Sequence, residues 1–335
     1  MPAARPQVIV NAVIDAIQQS GSVTAYVSES LRTHPRKFAV SYLGQTYSLW
    51  LYIWTLTHGG RVSLPNEYRI QMTSVASPLD RNPNGLTALM GYCPDLKMFA
   101  GFDLKKHCIF TEGSPSVQID IAAIYEARQS GLSFAAKDSN EIAIGVRPDH
   151  FWFYCLNADN LHLHGVEDNL AAILTKVIEI EEVPQQEITE LVAERKQIVE
   201  KVHRYSRSAK FRRQVMSAYG NRCAVTGMQL RLVDAAHILP VTSDGSSDHV
   251  TNGIALAPTF HRAYDTCLIY LDENFVMKLN EEKIEELVTD DLGGEIHQFR
   301  SFLDKTIYLP VDMSQRPRLE YIAMANRHRR IRGYV

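Results

Sequence analysis

The chain has 335 residues, 35 basic against 38 acidic side chains, a net charge of −3 and 45% apolar residues. That length suits about two domains of roughly 150 residues each, and the apolar fraction excludes a disordered or fibrous chain. With no global basic field, any nucleic-acid contact must come from a local patch.

Val10, Val13, Ile14 and Ile17 share one face of an opening helix that ends near Gly21. From about Lys37 to Asn157, aromatic and β-branched runs alternate with turn signals at Gly59-Gly60, Pro65-Asn66, residues 82–85 and Gly113. That rhythm predicts a strand-rich α/β domain over residues 1–182. Leu170, Ile173, Leu174 and Val177 then share a helical face, until Pro184 interrupts it. Residues 188–205 are charge-dense: Glu190 and Glu194, with Glu187 just before the stretch, stand ahead of Arg195, Lys196, Lys201 and Arg204. This stretch reads as a solvated helix laced by i,i+4 pairs, a linker over residues 183–207.

In the remaining part, residues 208–335, Ser208 is placed to cap a helix bearing Phe211, Val215 and Tyr219, stopped at Gly220-Asn221. Two short strands follow, Leu230–Ile238 and Gly253–Leu256, separated by the polar loop Thr242–His249, and a helix begins near Pro258. The whole reads as α+β. Glutamates gather at Glu179, Glu181, Glu182 and Glu187 and over residues 281–286; basic residues gather over Arg195–Arg213 and Arg327–Arg332. The near-zero net charge therefore conceals local basic segments.

The longest apolar run, residues 48–56, falls short of the roughly 20 residues of a spanning helix. The first residues lack the apolar stretch of a signal peptide. Cys93, Cys108, Cys155, Cys223 and Cys267 are scattered and form no CxxC pair, so no disulfide framework and no structural zinc is expected. The chain reads as soluble and cytoplasmic, without a membrane partner.

The chemistry-bearing segments are residues 234–240 (Asp-Ala-Ala-His-Ile-Leu-Pro), 251–256 (Thr-Asn-Gly-Ile-Ala-Leu) and 259–265 (Thr-Phe-His-Arg-Ala-Tyr-Asp). His261 and Asp265, four apart on a helix, project from one face and can share a divalent ion. His237 ends a strand, and a neutral imidazole there suits abstraction of a proton from water. The Asn252-Gly253 pair can tie the loop by side-chain hydrogen bonds and hold the backbone around His237. Each residue alone reads more simply as surface or capping; the ordered set carries the chemistry.

These motifs resemble those of the HNH endonuclease family, in the subgroup with an Ala-Ala-His-Ile first motif and a His-x-x-x-Asp helix. The resemblance covers about residues 208–280, including Phe211, Arg212, Tyr219, Cys223, Thr226 and Gly227. It implies a ββα-metal fold that hydrolyses DNA phosphodiesters with one divalent cation, Mg²⁺ or Mn²⁺. It implies His237 as general base, Asn252 as the loop-fixing residue and His261 with Asp265 as metal ligands. Two departures stand out. Ala236 occupies the position where many relatives carry a metal ligand, leaving Asp234, on the same strand face, as the replacement. Thr226 stands where some relatives carry the second cysteine of a zinc knuckle.

Arg262, Arg212 and Arg213 are candidate contacts to double-stranded DNA near that site, and Arg61 and Arg69 are candidates in the first domain. Trp50, Tyr52, Trp54, Tyr68, Phe99, Phe102, Phe110, Phe151, Trp152 and Tyr154 read mostly as core, with a minority able to line a pocket for an extruded modified base. Asp103 and Asp120 are weak candidates for a second acidic site. The expectation is a homodimeric restriction enzyme, with the first domain selecting the site. The alternatives are an HNH effector released by a nucleotide signal or a partner, and a non-catalytic DNA-binding protein.

Overall fold

The computed structural model describes residues 3–111, 115–137, 140–166, 168–179 and 191–334. It divides into two units, Met1–Arg207 and Ser208–Val335. The expected boundary at residues 182–183, the interruption at Pro184, the acidic Glu181, Glu182, Glu187 and Glu190, and the turn at Gly113 lie outside the described residues.

In the first unit, helix α1 (Pro6–Gln19) leads into strands β1 (Val23–Tyr26), β2 (Arg36–Tyr42), β3 (Gln45–Thr55), β4 (Thr57–His58), β5 (Glu67–Gln71), β6 (Leu86–Cys93) and β7 (Met98–Phe102). Helix α2 (Leu104–His107), strand β8 (Ser116–Asp120), helix α3 (Ile121–Ser130) and strands β9 (Leu132–Lys137) and β10 (Glu141–Val146) follow. Helices α4 (Phe151–His164), α5 (Asp168–Glu179) and the first part of α6 (Ala193–Ala218) complete it. Seven strands form a mixed sheet ordered β1-β2-β3-β6-β7-β10-β9, in which β3 and β6 run parallel. Strands β4, β5 and β8 make a second, antiparallel sheet.

The large sheet is buried on both faces, and the period of two in a strand decides which core each residue enters. In β3, Leu49, Leu51 and Ile53 face one core while Tyr52 and Trp54 face the other. In β10, Ile142, Ile144 and Val146 join the first core and Ala143 the second. Helix α4 is apolar on most of its faces, as a helix enclosed by protein must be; Phe151, Trp152 and Tyr154 are all fully buried in it. With Tyr52, Trp54, Phe99 and Phe102 also buried, seven of the ten aromatics are structural core rather than pocket lining. Asp103 and Asp120 accept from the backbone amides of Lys105 and Ala122, so each is the N-cap of a helix.

Helix α6 corrects two expectations. Ile198, Val199 and Val202 are buried in the first unit's core, so the charge-dense stretch is a packed element rather than a solvated linker. The helix also runs through Ser208 without a break, so Ser208 caps nothing. A narrow apolar stripe within a dense charge pattern is enough to dock a helix, because the charges occupy the opposite face.

In the second unit, β11 (Asp234–His237) pairs antiparallel with β12 (Gly253–Leu256), and helix α7 (Pro258–Asp265) follows with proline in its first turn. Strands β13 (Ile269–Leu271), β14 (Val276–Leu279) and β15 (Lys305–Thr306) form a small sheet, with helices α8 (Glu281–Thr289), α9 (Ile296–Arg300) and α10 (Leu319–His328) around it. The first strand is shorter than expected, because Leu230 and Arg231 take left-handed backbone at φ +44° and +54°. Phe211, Val215, Ala236, Ile254, Phe260, Tyr264 and Ile322 share one apolar core. The architecture is α+β. Among the described residues, no helix is long and apolar enough to cross a membrane.

Candidate active site

Strand β11 ends at His237, and its neighbours on the chain are tied from two sides. Asn252, wholly buried, accepts from the Leu239 amide through Oδ1 at 2.9 Å. Its Nδ2 donates to the Leu239 carbonyl at 3.1 Å, to Ser246 Oγ at 3.2 Å and to the Ser247 carbonyl at 2.9 Å. One side chain thus closes the loop between the strands and satisfies both backbone groups of a residue two positions after His237. From the other side, Arg329 donates to the Ile238 carbonyl at 2.9 Å and to the Tyr264 hydroxyl at 3.1 Å, with its guanidinium 4.1 Å above the Tyr264 ring. Part of the basic C-terminal segment therefore holds protein backbone.

The imidazole of His237 is half-buried and oriented by two contacts. Its Nε2 lies 3.0 Å from Asp248 Oδ1. Its face stacks on Phe211, with ring centroids 3.8 Å apart and planes 11° from parallel. Gly253, paired with His237 across the hairpin, makes room for this arrangement. A Cβ there would collide with Val215 Cγ2 and stand 3.1 Å from the Phe211 ring.

Helix α7 and strand β11 bring together His261, Asp265 and Asp234. His261 Nε2 lies 3.3 Å from Asp265 Oδ2, and its Nδ1 lies 4.0 Å from Asp234 Oδ2. Asp234 also pairs with Arg212 at 3.5 Å. The contact with Asp234 is the largest cause that raises the His261 pKa; burial opposes it and Asp265 adds to it. At 4.0 Å this contact is an ion pair rather than a tight hydrogen bond. Asp234 is held below its ordinary value, first by His261 and then, against its own burial, by Arg212. Ala236 is buried in the core, so the strand offers Asp234, not residue 236, to the site.

Two carboxylates and one imidazole form an oxygen-rich donor set that fits a hard divalent cation such as Mg²⁺ or Mn²⁺. The three are not closed into a cage: among the described residues, no group of three or more His, Cys, Asp or Glu side chains is arranged to hold a metal. His261 instead lies between the two acids. Cys223 is buried in the turn Cys223–Met228, where its amide donates to the Met228 carbonyl at 2.8 Å.

Of the expected DNA contacts, Arg212 lies beside Asp234, while Arg213 and Arg262 are exposed on α6 and α7. Arg61 and Arg69 belong to the first unit, where Arg61 pairs with Glu67 at 3.6 Å and Arg69 sits half-buried in β5. His249, at the end of the polar loop, bonds Thr251 Oγ1 through Nδ1 at 2.8 Å. Three residues escape sequence reasoning: Asp248 against His237, the Phe211 ring as a stacking partner rather than plain core, and Arg329. Their contacts depend on the path of the loop and the chain's return, which no spacing rule encodes.

Comparison with known proteins matches residues 223–272 to a family described as HNH endonuclease. Residues 47–155 match a family described as Methylase-associated X1. No curated protein matches the chain. Among solved structures, one described as a modification dependent TagI restriction endonuclease is similar at 12% identity over 86% of this chain and 84% of that one, with a TM-score of 0.29. The second unit therefore contains an HNH endonuclease domain, at residues 223–272.

Proposed function

We propose that the chain is a restriction endonuclease that hydrolyses phosphodiester bonds of double-stranded DNA. The observation that carries the reading is the presence, in one HNH unit, of an oriented imidazole at His237 and the His261–Asp265–Asp234 donor set. His237 takes the proton of the attacking water as its oxygen bonds to phosphorus. The bond from phosphorus to the 3′ oxygen breaks, and the departing oxygen is protonated from solvent, leaving a 5′ phosphate and a 3′ hydroxyl. His261, Asp265 and Asp234 would hold one divalent cation, which would supply electrostatic stabilisation of the charge that develops on the phosphoryl and leaving oxygens. Asn252 keeps the His237 backbone still during this step, and Arg212, Arg213 and Arg262 hold phosphates of the strand.

The first unit, with Arg61 and Arg69 on it, selects the site, since contacts to phosphate carry no sequence choice. A methylase-associated segment joined to a nuclease favours cleavage governed by the modification state of the DNA. One HNH site cuts one strand, so a homodimer is the simplest route to a double-strand break. Digestion of matched methylated, hydroxymethylated and unmodified phage DNA with Mg²⁺ or Mn²⁺ tests the reading. Cleavage of one class over the others supports it; no cleavage of any of them with either cation refutes it.

A further inference from the structure

We infer that Asp248 is a positioning residue that fixes the Nε2–H tautomer of His237 and leaves Nδ1 as the basic nitrogen. The inference deepens, and rests on, the reading of His237 as general base. Asp248 Oδ1 lies 3.0 Å from His237 Nε2. A carboxylate only accepts hydrogen bonds, so a neutral imidazole in this contact must donate from Nε2 and keep its lone pair on Nδ1. Nδ1 has no hydrogen-bond partner among the described residues and is free to accept from water.

The stack on Phe211 removes the remaining freedom of the ring. With centroids 3.8 Å apart and planes 11° from parallel, the ring can turn only in its own plane, and the edge bond to Asp248 prevents that. Asp248 is itself held in register by its neighbours. Ser247 is anchored through its carbonyl by Asn252 at 2.9 Å and through its hydroxyl by Tyr321 at 2.8 Å. His249 is anchored on the other side by Thr251 at 2.8 Å. Within this stretch, Ser247 and His249 hold the loop while Asp248 orients the imidazole. The arrangement gives His237 what the buried aspartate gives the histidine of a serine hydrolase: tautomer, orientation and a countercharge once the imidazole takes a proton. Orienting partners of this kind typically contribute factors of about 10–100 in rate or affinity.

The experiment uses the full chain, a DNA substrate that the wild type cuts, and three variants. Asp248→Asn is expected to lower kcat about 100-fold with KM within about twofold. Asp248→Glu, which retains the acceptor, is expected to recover at least about a tenth of the wild-type rate. In a His237→Ala background, Asp248→Asn is expected to add nothing, since the two residues act as one unit. Nitrogen-15 NMR of ring-labelled wild type should show His237 as the Nε2–H tautomer, whatever the stability of the variants. An Nδ1–H tautomer, a kcat unchanged in Asp248→Asn, or an equal loss in both backgrounds would overturn the inference. If His237→Ala cuts like the wild type, the base assignment fails and this inference with it. If His237→Ala is inactive while Asp248→Asn is fully active, this inference fails alone.

Discussion

The carboxamide of Asn252 meets both backbone groups of Leu239, accepting from its amide at 2.9 Å and donating to its carbonyl at 3.1 Å. The side chain is fully buried, so water has no access to replace either bond. Removing it leaves the buried Leu239 amide unpaired, at a cost of about 1–3 kcal/mol, while the Leu239 carbonyl keeps its bond from Ser246 Oγ at 3.0 Å. Asn252→Ala should therefore lose about 2 kcal/mol of stability in the second unit. Chemical denaturation checks this; a loss below about 0.5 kcal/mol would show that the loop stays closed without it.

Gly253 lies against Val215 and Phe211 of α6, with no room for a Cβ. Gly253→Ala should destabilise the second unit and lower kcat, since the new methyl pushes on Val215 and on the Phe211 ring beneath His237. The double variant Gly253→Ala, Val215→Ala should regain part of both, because it clears the worse of the two clashes. Thermal melts and initial rates for the two variants report this; equal defects in both would place the strain elsewhere.

The acidic donor set is testable without DNA. Titration calorimetry with Mn²⁺ should give binding to the wild type that weakens at least about tenfold in His261→Ala and in Asp265→Ala. Asp234→Ala should also weaken it. Unchanged affinity in all three would remove the cation from this cluster.

Stability of the first unit should depend on Glu141. Burial alone would raise its pKa, but the bonds from His107 at 2.7 Å and Lys137 at 3.1 Å outweigh burial and hold it at about 2, below the ordinary 4.5. The folded pKa is depressed, so the contribution is complete above about pH 4.5 and disappears as pH falls toward 2. It amounts to about 3 kcal/mol. Denaturation of Glu141→Gln between pH 6 and pH 2 should show a flatter acid limb than the wild type; parallel limbs would assign the acid sensitivity to other groups.

Much of the second unit was legible in the sequence because its geometry is local. The i,i+4 spacing of His261 and Asp265 and the placing of Asn252 before Gly253 depend only on helix periodicity and turn chemistry. Asp248 was not legible, since its meeting with His237 depends on how an eleven-residue separation folds back. The continuity of α6 was hidden by charge: Ile198, Val199 and Val202 are few among many lysines, arginines and glutamates, yet they are buried. In the first unit, the aromatic runs announced strands and core but not the helix α4 that buries Phe151, Trp152 and Tyr154, because an all-round apolar run has no period to read.

The most direct test is single-turnover cleavage of a DNA substrate by wild type and His237→Ala, with Mg²⁺ or Mn²⁺ and with EDTA. The expected result is metal-dependent cutting by the wild type and a loss of at least about 1,000-fold in His237→Ala, with DNA affinity retained. Equal cutting by both proteins would contradict the assignment of His237, and cutting that persists in EDTA would contradict the metal-dependent mechanism.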